Sequence, residues 1–336
     1  MADDLAARIG GVEFAALLSS SAPADLPALR EQLVTALQRP IDTGAGSDTA
    51  FASCGTAVVR GSDLAEAVVA RADASMHASK RVTDAGSTGI ASRERVEFEE
   101  LLSRAIAEGR LVAYAQPIVD ARTGEVVEEE LLVRMMAVDG HAMVPDEFLP
   151  QARQFGLMPT IDRFMVARGI ECAKAGRPVA VNISVDSIND TATSSAILEQ
   201  LRQAEDAAQR VSVEVTEHAA LASTDLAARF SDDMAALGCR LALDDFGTGF
   251  GSLIELRGMT LSKLKIDKSF VSGMLRNVQD ESIVRAIVAV ARELGLLTVA
   301  EGVEDAKTRN RLIELCIDQL QGYLLGRPEP VLATPR

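Results

Sequence analysis

Apolar, β-branched runs alternate with stretches of helical spacing through most of the chain. The runs fall at 111–119 (LVAYAQPIV), 126–135 (VVEEELLVRM), 179–184 (VAVNIS), 211–216 (VSVEVT), 240–245 (RLALDD), 263–267 (KLKID), 297–303 (LTVAEGV) and 317–324 (IDQLQGYL). Residues 222–237 and 279–294 between them repeat apolar positions at helical spacing. Asp280 is expected to cap the second of these, with Ile283, Ile287 and Val288 on its inner face. Eight strands with intervening helices over about 240 residues predict an α/β fold, a TIM-like (β/α)8 barrel. A doubly wound open sheet is the alternative, but no GxGxxG and no Gly-rich loop follows the first strand.

Composition shifts once, at the small, polar, turn-rich stretch VTDAGSTGIASRER (82–95). The expected organisation is a segment at 1–85, a linker at 86–95 and the barrel at 96–332. A length of 336 residues fits two domains, and 48% hydrophobic residues supply a large core. No apolar run approaches the ~20 residues of a membrane span. The opening MADDLAARIGG is acidic where a signal peptide is basic, so no membrane association and a cytoplasmic location are expected. A net charge of −15 argues against a nucleic-acid polymer as partner. It leaves room for a phosphate substrate, because metal ions invert the local field. Four scattered cysteines and three scattered histidines form no zinc pattern.

A barrel carries its active site at the C-terminal ends of its strands. Read in order, those ends hold Glu130 and Arg134, Asn182, Glu214 and Glu217, Asp244 and Asp245, Lys265 and Asp267, Glu301, and Gln321. Any one acid at a strand end is ordinarily a solvated rim residue or a helix cap. Two departures stand out: EEELL sets charge into an apolar strand, and a strand runs straight into DDFGTGFGS. Lys263, Lys265 and Asp267 share one strand face, a charged stripe inside a barrel that needs partners. So many converging carboxylates demand cations, and oxygen ligands suit Mg2+ or Mn2+. Two such ions would clamp an in-line attack on phosphorus.

These residues resemble the EAL-domain family of cyclic di-GMP phosphodiesterases. The motifs are QPI at 116–118, Glu130-Leu131-Leu132, NIS at 182–184, EVTE at 214–217, DDFGTGF at 244–250, KIDKSF at 265–270, AEGVE at 300–304 and QGY at 321–323. The resemblance implies a metal held by Glu130, Asn182, Glu214 and Asp244, with Asp244 bridging to a second ion also held by Asp245. It implies Glu301 as a metal ligand or general base, and Lys265 and Asp267 as the residues orienting the attacking water. Gln116, Arg134 and Gln321 would bind substrate, and Glu217 would anchor the DDFGTG loop. The implied reaction opens cyclic di-GMP to linear pGpG, and a homodimer through the barrel is expected. The competing reading is a receptor that binds cyclic di-GMP and signals through a protein partner. Leu131 replaces the motif's alanine, and Met135 and Ala115 stand where many members carry aromatic residues near the purine pocket.

The first 80 or so residues resemble the C-terminal half of a GGDEF, or diguanylate cyclase, domain. DLAARIGGVEFAALL matches its centre with Val12 in place of an acid, and RADASMHASKR (71–81) its last helix. The implied segment is a small α+β remnant without cyclase activity.

Overall fold

The computed structural model describes residues 5–10, 13–18, 26–37, 40–42, 47–49, 54–59, 68–69, 71–72, 75, 90–137, 140–216, 224–247 and 258–331. The chain divides into two compact units, Met1–Ser92 and Arg93–Arg336.

In the first unit, β1 (Leu5–Gly10) pairs antiparallel with β2 (Glu13–Leu17). Helix α1 (Leu26–Leu37) follows, then a short antiparallel pair, β3 (Pro40–Asp42) and β4 (Ser47–Thr49). Val12 and most of 71–81 lie outside the described residues.

Helix α2 (Ile90–Ala107) takes in residues 90–95, which the sequence reading gives to the linker. Its Phe98, Leu102 and Ala105 are buried at helical spacing, and the Arg- and Glu-rich turns before them are good helix formers. The barrel follows: β5 (Leu111–Asp120), β6 (Val126–Met136), β7 (Ala142–Met143), α3 (Pro145–Gln154), α4 (Met158–Lys174), β8 (Val179–Asn182), α5 (Val185–Asn189), α6 (Thr191–Gln203), β9 (Val211–Thr216), α7 (Thr224–Ala236) and β10 (Arg240–Phe246). Then come β11 (Lys263–Ile266), α8 (Lys268–Gly273), α9 (Val278–Glu293), β12 (Leu297–Ala300), α10 (Ala306–Glu314), β13 (Gln319–Gln321) and β14 (Glu329–Pro330).

Neighbouring strands run β5–β6–β8–β9–β10–β11–β12–β13 and return to β5, a closed ring of eight. From β6 to β13 every pairing is parallel, but β5 is antiparallel to both neighbours. This departs from a regular (β/α)8 barrel for a simple reason. Residues 121–125 are too short a link for a crossover helix. Asp120 instead accepts hydrogen bonds from the N–H groups of Arg122 and Thr123 and closes a turn.

Alternate strand residues face the helices and form the apolar core, among them Leu131, Val133, Val181, Val213, Leu243 and Leu264. Leu131 is buried there, so replacing the motif's alanine alters packing alone. Ala115 and Met135 belong to the same cluster, on strand faces opposite Gln116 and Arg134. The cap of α9 is Asn277, which accepts from the Gln279 N–H, and not Asp280. The helix starts earlier than its apolar pattern, and its inner stripe is Val284, Ile287, Val288 and Ala291, with Ile283 exposed.

The remaining strand residues point into the lumen in two layers. Glu130, Glu214 and Lys265 share the upper layer, towards the strands' C-terminal ends. Glu128, Ser212 and Lys263 lie two residues below them on the same strands. Strands β6 and β11 stand four places apart in the ring of eight, on opposite sides of the lumen.

Candidate active site

Lys265 organises the upper layer. Its ammonium lies 2.6 Å from Glu214 Oε2, 2.6 Å from Glu301 Oε1, 3.3 Å from Glu130 Oε2 and 3.3 Å from Asp244 Oδ1. One buried cation therefore faces four carboxylates from four strands or strand ends. Burial works against its charge, but Asp244, Glu130, Glu214 and Glu301 outweigh it and push the ammonium pKa well above its ordinary value. Lys265 is a fixed positive charge.

The carboxylates divide by their other partners. Burial raises Glu130, yet Lys265 and hydrogen bonds from Gln321, Asn182 and Lys265 win and hold it below the usual range. The Asn182 amide donates to Glu130 Oε1 at 2.7 Å, and the Gln321 amide to Oε2 at 2.7 Å. Glu214 has fewer donors, so burial pushes it well above the ordinary value despite Lys265, with Glu130 and Asp244 adding to the rise. Glu301 is pushed up to about 8 by burial, against Lys265 and with Asp244 and Glu130. Asp245 rises to about 6 through burial and the charges of Asp244 and Asp267. Four carboxylates around one ammonium are more acids than a single lysine can neutralise.

Asp244 and Asp245 are consecutive, and in an unbroken strand they would face opposite sides. The β10–β11 register slips by one residue between Leu243 and Phe246, and Asp245 takes a left-handed backbone, φ 56°. Such a bulge re-aims a side chain. Asp tolerates that conformation better than most residues. The result is that Asp244, Asp245 and Glu301 each offer an oxygen within 4.8 Å of the others. An all-oxygen donor set of this kind, carrying excess negative charge, fits a hard divalent cation.

Gln321 reaches the same point through a close backbone approach. A Cβ on Gly322 would lie 2.2 Å from the Val303 carbonyl oxygen, so only glycine permits this packing. The Val303 N–H donates to the Gln321 carbonyl at 3.0 Å, which ties β13 to the loop after Glu301. Gln321 donates to Gln116 Oε1 at 3.4 Å, while its own buried Oε1 finds no donor among the described residues. Arg134 lies at the rim, its guanidinium 5.5 Å from the Tyr114 ring and without a carboxylate partner among the described residues. Asp267 follows β11 and its charge lies close to Asp245. Its side chain caps α8, accepting from the Ser269 N–H at 2.9 Å and from the Ser269 hydroxyl. Glu217 and Thr248 lie outside the described residues.

Two contributors escape the sequence reading. Tyr114 shares a strand face with Gln116, a parity legible in the sequence but masked by the apolar run around it. Asp162 of α4 is buried and accepts from the Ser184 N–H at 2.8 Å and from the Ser184 and Ser187 hydroxyls, both at 2.6 Å. It thereby clamps the turn that follows Asn182.

A closed β/α barrel with a mouth of oxygen ligands is the architecture of barrel proteins that hold a hard divalent cation at the C-terminal ends of their strands. Residues 99–328 match the profile of the family described as EAL domain, and residues 1–84 that of diguanylate cyclase, GGDEF domain. The chain belongs to the EAL-domain family and carries a GGDEF-family segment ahead of the barrel. It is 31% identical over 98% of its length to the bifunctional diguanylate cyclase/cyclic di-GMP phosphodiesterase MucR of Pseudomonas aeruginosa, covering 50% of that protein. It is 32% identical over 99% of its length to the cyclic di-GMP phosphodiesterase PdeR of Escherichia coli, covering 52% of it. The chain thus spans about half the length of these curated relatives. The solved PaMucR phosphodiesterase in its c-di-GMP complex superposes with a TM-score of 0.65 at 31% identity, over 70% of this chain and 98% of that one. No helix among the described residues is long and apolar enough to cross a membrane.

Proposed function

We propose that the barrel is a divalent-metal-dependent phosphodiesterase that opens cyclic di-GMP to linear pGpG. The observation that carries this reading is the imbalance at Lys265, one ammonium among Glu130, Glu214, Asp244 and Glu301. Relatives that span the whole chain are named for this activity. Glu130, Asn182, Glu214, Asp244, Asp245 and Glu301 would hold Mg2+ or Mn2+, two ions in all. When bound, the metal supplies an activated water and polarises the phosphate.

The chain's own groups do the rest. Lys265 keeps its proton and so serves as a charge that orients Glu214 and Glu301, not as a base. Glu301, in the oxygen cluster with Asp244 and Asp245 and beside Lys265, would bind the metal or act as the general base for the attacking water. Arg134, held over Tyr114 at the rim, would take a phosphate oxygen pair. Gln321 Oε1, lacking a donor, would accept from the substrate or its hydration. Asp267 fixes the start of α8 and sets the charge next to Asp245. Glu217 is retained as the acid that anchors the DDFGTG loop, tested by the rate of Glu217→Ala against its melting temperature. Every candidate comes from one chain, so the expected homodimer is tested by light scattering and not by activity. The reading also carries a cytoplasmic location.

The test is incubation of purified protein with cyclic di-GMP and Mg2+ or Mn2+, with a chelator control, and chromatography of the products. Appearance of pGpG that the chelator abolishes is expected. Tight binding of cyclic di-GMP without turnover would replace this reading with the receptor reading.

A further inference from the structure

Beneath the site lies a second buried ion pair that the reaction does not use. Lys263 and Glu128 are 1% and 2% exposed, and the Lys263 ammonium donates to Glu128 Oε2. The Ser212 hydroxyl donates to Glu128 Oε1 at 2.5 Å, so both carboxylate oxygens are occupied. The pair spans the lumen between opposite strands, the same two that carry Glu130 and Lys265 one layer higher. The layers are separated by two residues of strand, roughly 7 Å. That gap is within the reach of a flexible four-carbon lysine stem.

We propose that Glu128 is a positioning residue for the metal site, acting through Lys263: it pins that ammonium in the lower layer and keeps it from the carboxylates above. The inference rests on the metal-site reading of the upper layer. A buried ammonium without a partner is strongly unfavourable. With Glu128 neutralised, the carboxylates that face Lys263 one layer higher on the same lumen strands, among the described residues, are Glu130 and Glu214. Lys263 would then join Lys265 as a second internal counter-ion and compete with the cation for the same oxygens. Losing Lys263 instead leaves a buried carboxylate that costs stability, but it frees no ammonium to compete for the upper oxygens, because Glu128 keeps its hydrogen bond from Ser212 one layer below. The two halves of one ion pair therefore have unequal consequences, which a merely structural pair does not produce.

The experiment measures Mn2+ binding to the full chain by titration calorimetry, together with the Mn2+-induced rise in melting temperature. Glu128→Gln is expected to weaken Mn2+ binding by roughly ten- to a hundredfold. Lys263→Met and the double variant Glu128→Gln/Lys263→Met are expected to bind Mn2+ as the wild type does, because neither has a stray ammonium. Glu128→Asp keeps the charge but shortens its reach, and serves if Glu128→Gln does not fold; a smaller weakening in the same direction is expected. Wild-type affinity in Glu128→Gln or Glu128→Asp would overturn the proposal, as would equal weakening in Lys263→Met. Failure of the wild type itself to bind Mn2+ would overturn the underlying metal-site reading, and this proposal with it.

Discussion

In the lower layer of the lumen one ammonium meets one carboxylate; in the upper layer one ammonium meets four. Both lysines come from β11, two residues apart, and both are equally buried. Both face a glutamate of β6, again two residues apart. Position, burial and residue type are therefore shared, and only the charge balance differs. A matched buried pair is about neutral for stability once desolvation is counted. The lower layer is such a pair, complete with the Ser212 hydroxyl. An excess of acids has no such account: burial first, and then the neighbouring carboxylates, displace Glu214, Glu301 and Asp245 upward from their ordinary values. Adjacent layers of one barrel thus separate an ion pair that finishes a core from a cluster that remains to be neutralised.

The comparison breaks most visibly at Asp244. Asp244→Asn removes an acid that touches Lys265 and shares an oxygen cluster with Asp245 and Glu301. Turnover of cyclic di-GMP is expected to fall by at least about a hundredfold, since even groups behind a ligand are worth ten- to a hundredfold. Initial rates at saturating Mn2+ check this, and near-wild-type turnover contradicts it.

Lys265→Met probes the same layer through stability. It leaves four buried carboxylates with no internal cation, so the metal-free protein is expected to lose about 3–5 kcal/mol. Denaturant unfolding with and without Mn2+ measures it. The loss is expected to shrink when Mn2+ is present, and a loss independent of Mn2+ would sink the idea that the layer is built for cations.

A smaller effect concerns Asp162, a buried carboxylate served by hydroxyls and an N–H in place of a cation. Burial raises its pKa to about 6, with the three hydrogen bonds from Ser184 and Ser187 working against the rise. A folded-state value above the unfolded one means that its contribution is fully present below about pH 4. It is lost as pH rises through about 6. The loss amounts to about 3 kcal/mol at most. Between pH 4 and pH 7 the unfolding free energy of the wild type should fall by that amount relative to that of Asp162→Asn, which has no proton to lose at this position. A difference that is flat with pH would assign Asp162 its ordinary value.

Much of the barrel is legible in the sequence, because most of its strands fall on short apolar, β-branched runs with helical patterns and turn residues between them. The antiparallel β5 is less so: the short 121–125 link signals it, but the strand pattern does not distinguish direction. The residues that converge on Lys265 are named in advance because each lies at a strand end or in a family motif. How Asp244 and Asp245 both reach the mouth is not, since the bulge and the left-handed backbone at Asp245 arise from pairing with β11. EEELL and KLKID each announce charge out of place. Their matching across the lumen joins residues 135 positions apart, which no local pattern encodes. Asp162 looks like an ordinary polar position of a helix. Only the packing of α4 against the turn after Asn182 gives it its partners.

The central claim is that the upper layer is completed by cations, and direct titration of Mn2+ into the metal-free wild type and Asp244→Asn tests it most simply. Saturable binding by the wild type, lost or strongly weakened in Asp244→Asn, is the result expected. A wild type that gives no saturable binding, with Lys265 left as the sole counter-ion of its four carboxylates, would contradict the account.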